Sequence, residues 1–114
     1  MHMELLDLEI AGQYKDVLGI EVFSETVDLY VEQSQLYIDK LKQAVAEQNY
    51  ANWQESCHIL KSASGNTGLK QVFNQVKELE YSKDDFAVLS VALEKLESLN
   101  KESIQAIKKW LTQG

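Results

Sequence analysis

An all-α fold, an antiparallel four-helix bundle with a short N-terminal covering helix, is predicted by three features of this 114-residue chain. It has no proline and only five glycines, so the punctuation of sandwiches and barrels is missing and long uninterrupted helices remain. Apolar residues recur every three or four positions over long stretches, which is the helical period. The breakers are few: Gly19, the Gln48-Asn49 pair, Gly68 and the cluster Ser82-Lys83-Asp84-Asp85 divide the chain into five helical stretches.

The first stretch, about Leu5 to Leu18, carries Ile10, Tyr14, Val17 and Leu18 as a stripe suited to covering something larger. The second, about Glu21 to Glu47, spaces Phe23, Val27, Tyr30, Ser34, Tyr37, Leu41 and Val45 by threes and fours, as a bundle helix does. The third, about Tyr50 to Thr67, has a narrower apolar side of Trp53, Cys57, Leu60 and Ser64. Gly68 then stands where one helix ends and the next begins. The fourth stretch, Leu69 to about Tyr81, groups Leu69, Val72, Phe73, Val76 and Leu79 and completes an αα-hairpin with the third. Ser82 or Asp84 is placed to cap the last helix, whose seam is Phe86, Leu89, Leu93, Leu96, Ile104, Ile107 and Leu111. Four such helices with short connections pack antiparallel.

The length suits one domain, residues 1–114, and a chain of this size buries roughly two thirds of its unfolded surface without staples. Eighteen acidic residues against eleven basic ones leave a net charge of −7. The positive surface that dominates nucleic-acid affinity is therefore missing, and no nucleic-acid partner is expected. Cys57 is the sole cysteine, so neither an internal disulfide nor a thiolate cluster can form. No apolar run is long enough to span a bilayer, and no leader pattern follows Met1, so a cytoplasmic protein with no membrane partner is expected, as a monomer. His2 sits in a terminal stretch, Met1-His2-Met3, that reads as a cloning remnant.

The third helix says more than the bundle, which hosts many functions. Advancing about 100° per residue from His58 places Gln54, Lys61, Ser62 and Gly65 within about 60° of it, and Trp53, Leu60, Ser64 and Thr67 on the far side. His58 is thus expected to face solvent. Gly65 on the same face is a poor helix former, at roughly 1 kcal/mol relative to alanine, so something other than helix stability is expected to place it there. Small residues at 62 and 65 remove bulk and let another protein approach the imidazole. Lys61 adds positive charge three residues on. A protruding nucleophile, a cation and a cleared approach suit a phosphoryl acceptor, because phosphoryl transfer depends chiefly on positioning and charge stabilisation.

The segment His58-Ile59-Leu60-Lys61-Ser62-Ala63-Ser64-Gly65-Asn66-Thr67-Gly68 resembles the pattern H-x-L-K-G-x-x-x-x-x-G of the histidine-containing phosphotransfer (HPt) domain family. Leu18-Gly19 before a long helix and Leu79-Glu80 at the close of the fourth also look like family features, so the resemblance covers most of the chain. One departure is Ser62, where the family usually has glycine. The resemblance implies a phosphorelay intermediate of two-component signalling. His58 would accept a phosphoryl group from the aspartyl phosphate of a response-regulator receiver domain, such as that of a hybrid sensor kinase, and pass it to another receiver or back. It implies attack through the ring nitrogen distal to the backbone, stabilisation of phosphoryl oxygens by Lys61, and docking over Gln54, Ser62 and Gly65. No cofactor is implied for this chain, since Mg²⁺ belongs in the receiver's acidic pocket.

Other chemistries find less support. One good ligand at His58 does not make a metal site, and the H-E-x-x-H spacing is absent. No glycine-rich phosphate loop is present, so no autonomous kinase activity is expected. Cys57 reads as a small buried hydrophobe, and Trp53, Phe73 and Trp110 as packing groups. The alternative from a different class is a non-catalytic helical bundle that binds a receiver or a partner helix without phosphotransfer.

Overall fold

A computed structural model describes residues 4–113, and His2 with its terminal neighbours lies outside them. Five helices follow in order: α1 (Leu8–Leu18), α2 (Ile20–Glu47), α3 (Tyr50–Gly65), α4 (Lys70–Leu79) and α5 (Phe86–Gln113), with no strand among the described residues. Around the bundle α2 neighbours α3, α3 neighbours α4, α4 neighbours α5 and α5 closes on α2, so α3 and α5 stand across the diagonal. The four-helix bundle with a covering helix is therefore observed.

The breakers act as their chemistry dictates. Gln48 ends α2 in the left-handed region (φ 54°), and the Asn49 side chain then caps α3 by accepting from the Asn52 amide at 3.0 Å. Gly19 and Gly68 take φ values of 86° and 77°, which side chains disfavour. At the start of α5 the Asp85 carbonyl accepts from the amides of Val88 and Leu89. Neither expected cap thus occupies that position, and Ser82 Oγ instead accepts from the Asp84 amide at 3.2 Å, tightening the turn before it.

The expected stripes on α2 and α3 are buried or half-buried. Two expectations are corrected. On α1, Ile10, Val17 and Leu18 are exposed, and Ala11 and Tyr14 face inward. The cause lies at Gly68: a Cβ there would stand 3.2 Å from the Ala11 Cβ, so α1 docks through the small side chain of Ala11. Its rotation is fixed where the Asp7 amide donates to the Gly68 carbonyl at 2.9 Å. On α5, Asn100 and Ser103 sit in the buried seam while Ile104 and Leu111 are half-buried. Asn100 Oδ1 accepts from the Tyr30 hydroxyl at 2.6 Å and its Nδ2 donates to Ser34 Oγ at 3.0 Å. A buried amide with matched partners in this way sets the register of α5 against α2. Tyr14 stacks on Phe23, and Phe23 meets Trp110 edge-on, joining α1, α2 and α5 at one end.

Candidate functional site

The αα-hairpin of α3 and α4 builds the site. Trp53 is fully buried and its indole N–H donates to the Leu79 carbonyl at 2.9 Å. That bond anchors the C-terminal end of α4 to α3, one turn before His58. It brings Glu80, the C-cap residue of α4, beneath the exposed face of α3. Tyr50 fixes the chain just beyond, its hydroxyl donating to the Asp84 carbonyl at 2.7 Å while its ring packs on Phe86.

His58 projects outward with 62% of its side chain exposed. Its Nδ1 lies 3.1 Å from Oε2 of Glu80, a carboxylate only 2% exposed. An ionised carboxylate offers only lone pairs at such a contact, so in the neutral ring Nδ1 carries the proton and Nε2 the free electron pair. Nε2 has no hydrogen-bond partner among the described residues. Lys61 does not extend freely into solvent: its ammonium sits 2.6 Å from the other Glu80 oxygen, Oε1, and the side chain is 22% exposed. Burial pushes the Glu80 carboxyl up, but hydrogen bonding from Lys61, Tyr81 and His58, in that order, together with the Lys61 charge, outweighs it and holds the group below its ordinary value. The same contact raises the Lys61 ammonium. Glu80 is thus an anion shared by the two residues that the third helix displays.

The other expected site residues are partly gathered here. Ser62 is exposed and Gln54 half-buried, one turn to either side of His58 along α3. Gly65 is half-buried and has a packing reason of its own, because a Cβ on it would stand 3.1 Å from Phe73 Cδ2 of α4. Its missing side chain serves the α3–α4 contact whether or not a partner approaches. Cys57 is fully buried and its thiol is pushed up to about 12, chiefly by burial, so no reactive thiolate stands beside His58.

Periodicity singled out His58, Lys61, Gln54, Ser62 and Gly65 and gave Glu80 no role in the chemistry. A signal was available: Val72, Val76 and Glu80 are spaced by four on the buried side of α4, so the row that should be apolar ends in a carboxylate. A buried acid of that kind demands a cation or donors nearby. No group of three or more histidine, cysteine, aspartate or glutamate side chains is placed to hold a metal ion among the described residues. No helix among them is long and apolar enough to cross a membrane.

Comparison with known proteins agrees with this geometry. The histidine-containing phosphotransfer domain of ArcB from Escherichia coli superposes with a TM-score of 0.85 at 17% identity, covering 96% of this chain and 94% of that one. Histidine-containing phosphotransfer protein B (HptB) from Pseudomonas aeruginosa PAO1 gives the same TM-score at 19% identity, covering 99% of both chains. These likenesses establish a shared fold. No curated protein matches the chain in sequence. The family model of the Hpt domain matches residues 25–113, which span α3, Glu80 and most of the bundle. The chain therefore belongs to the Hpt family, the phosphotransfer domains that work with receiver domains in two-component signalling.

Proposed function

We propose that the protein is a phosphorelay intermediate whose phosphoacceptor is His58. The observation that carries this reading is the exposed imidazole with Nδ1 tied to buried Glu80 and Nε2 free. In this reading the Nε2 lone pair attacks the phosphorus of an aspartyl phosphate on a docked receiver. The N–P bond forms as the P–O bond to the aspartyl carboxylate breaks, and that carboxylate leaves with the electron pair. The ring becomes a phosphoimidazolium, and its positive charge rests against the Glu80 carboxylate, which keeps Nδ1–H in place. The reverse sequence delivers the group to a second receiver or back to the first. Glu80 acts as a positioning residue here, fixing the tautomer and balancing charge.

The receiver docks over the exposed part of α3, with Ser62 the small residue beside the imidazole and Gln54 flanking it. The chain acts as a monomer in the cytoplasm, and its first donor is the receiver of a hybrid sensor kinase. Mg²⁺ belongs to the receiver's acidic pocket, and no residue of this chain is assigned to it. The test is transfer of labelled phosphate from receiver domains charged with acetyl phosphate, comparing the parent with His58→Gln. The parent is expected to acquire acid-labile, alkali-stable label and His58→Gln none. A folded parent that binds a receiver yet never acquires label would instead favour the non-catalytic bundle.

A further inference from the structure

We infer that the pocket between α2 and α3 binds a small zwitterion, a molecule the size of a free amino acid that carries one carboxylate and one ammonium group. The pocket has a volume of about 280 Å³, and its lining includes Tyr37 and Lys40 of α2 with Asn52, Glu55, Ser56 and Ile59 of α3. That volume lies just below the roughly 300–1,000 Å³ of sites that take drug-sized ligands, so the fitting class is smaller than those. One helix contributes a cation and the other an anion. Neither Lys40 nor Glu55 belongs to an ion pair among the described residues, although both line the same cavity.

Two opposite charges that share a cavity without closing on each other leave a field across it. A simple anion is drawn to Lys40 and repelled by Glu55, and a simple cation meets the reverse, so each gains little. A molecule bearing both charges answers both walls at once. The Lys40 ammonium lies over the Tyr37 ring, 5.1 Å from its centroid, which holds it against the pocket wall. Between the two charges lies Ser56, only 5% exposed and engaged in no side-chain hydrogen bond among the described residues, so its hydroxyl keeps both donor and acceptor capacity for a ligand. The Asn52 side chain adds an amide, and Ile59 an apolar wall against which the carbon atoms of the ligand rest.

Titration of the full chain, followed by ¹⁵N–¹H correlation spectra, tests this with glycine, L-alanine, L-serine and L-glutamine as probes and with sodium acetate and methylammonium chloride as single-charge controls. At least one amino acid is expected to shift the amides of Lys40, Ser56 and Ile59 saturably, and to bind at least about tenfold more tightly than either control. Lys40→Met and Glu55→Gln are each expected to weaken that binding by about tenfold. Both side chains are exposed, so the two variants should keep the spectrum of the parent away from the pocket. Lys42→Met removes a neighbouring lysine that pairs with Glu97 instead, and should leave binding unchanged. No saturable shift with any of the amino acids, acetate or methylammonium binding as tightly as they do, or undiminished binding in Lys40→Met or Glu55→Gln would overturn the inference. His58→Gln should bind the amino acid as the parent does, which keeps the outcome separate from the phosphoacceptor reading.

Discussion

At the scale of single residues, Glu80 pairs with both His58 and Lys61, and its protonation links site to stability. Its carboxyl is held below its ordinary value of 4.5 in the folded protein. A group lowered in this way stabilises the fold above its unfolded value, and the stabilisation is lost as pH falls through the folded value. The thermal midpoint of the parent is therefore expected to drop on acidification below about pH 4.5, and that of Glu80→Gln to drop less over the same interval. Circular dichroism melts of the two proteins across that range check this, since every other carboxylate is common to both. His58→Gln is expected to change stability by no more than about 1 kcal/mol, as the side chain is largely exposed and glutamine can still donate toward Glu80.

At the scale of elements, the α3–α4 hairpin is where sequence pattern and structure part company. Helical period alone placed His58 outward and Trp53, Cys57, Leu60 and Ser64 inward, because a rotation of 100° per residue is a property of one helix. It could not show what a second helix brings to that face. Glu80 arrives from 22 residues away in sequence, and the Phe73 ring against Gly65 comes from α4 as well. Both depend on the crossing of two helices. The reading of Gly65 as a cleared track changes accordingly. Gly65→Ala would gain about 1 kcal/mol of helix propensity, but the new Cβ meets Phe73 at 3.1 Å, so the net change in midpoint is expected to be near zero or negative. Ser62→Trp is the cleaner probe of docking, for position 62 is exposed: it should keep the melting transition and weaken receiver binding, as calorimetric titration would report.

The covering helix was legible as a helix, and its contact face was not. Ile10, Val17 and Leu18 make the more apolar stripe, yet the close approach of Ala11 to the Gly68 backbone decides the docking. Gly68→Ala places a side chain at φ 77° and against Ala11, and the left-handed conformation alone costs about 1–2 kcal/mol. Faster amide exchange along α1 is expected in this variant, with α2 and α5 protected as in the parent.

At the scale of the whole molecule, the bundle holds two diagonal helices apart and gives each a different task. On one side, α5 is registered to α2 by Tyr30, Asn100 and Ser34, a buried polar cluster that fixes the frame. Across the diagonal, α3 presents an imidazole backed by a buried anion. The frame was legible from period and breakers, apart from the polar residues in its seam, whose partners lie 66 and 70 residues away. In the proposed reading the bundle receives a phosphoryl group from one partner and gives it to another, which predicts dependence on two partners at once. The most direct test is a reconstituted relay: one receiver domain charged with acetyl phosphate and freed of it, a second uncharged receiver, and this chain between them. Label is expected to reach the second receiver only when the parent chain is present, passing through an acid-labile phosphohistidine, and His58→Gln should leave it on the first. Label reaching the second receiver equally well through His58→Gln would contradict the account.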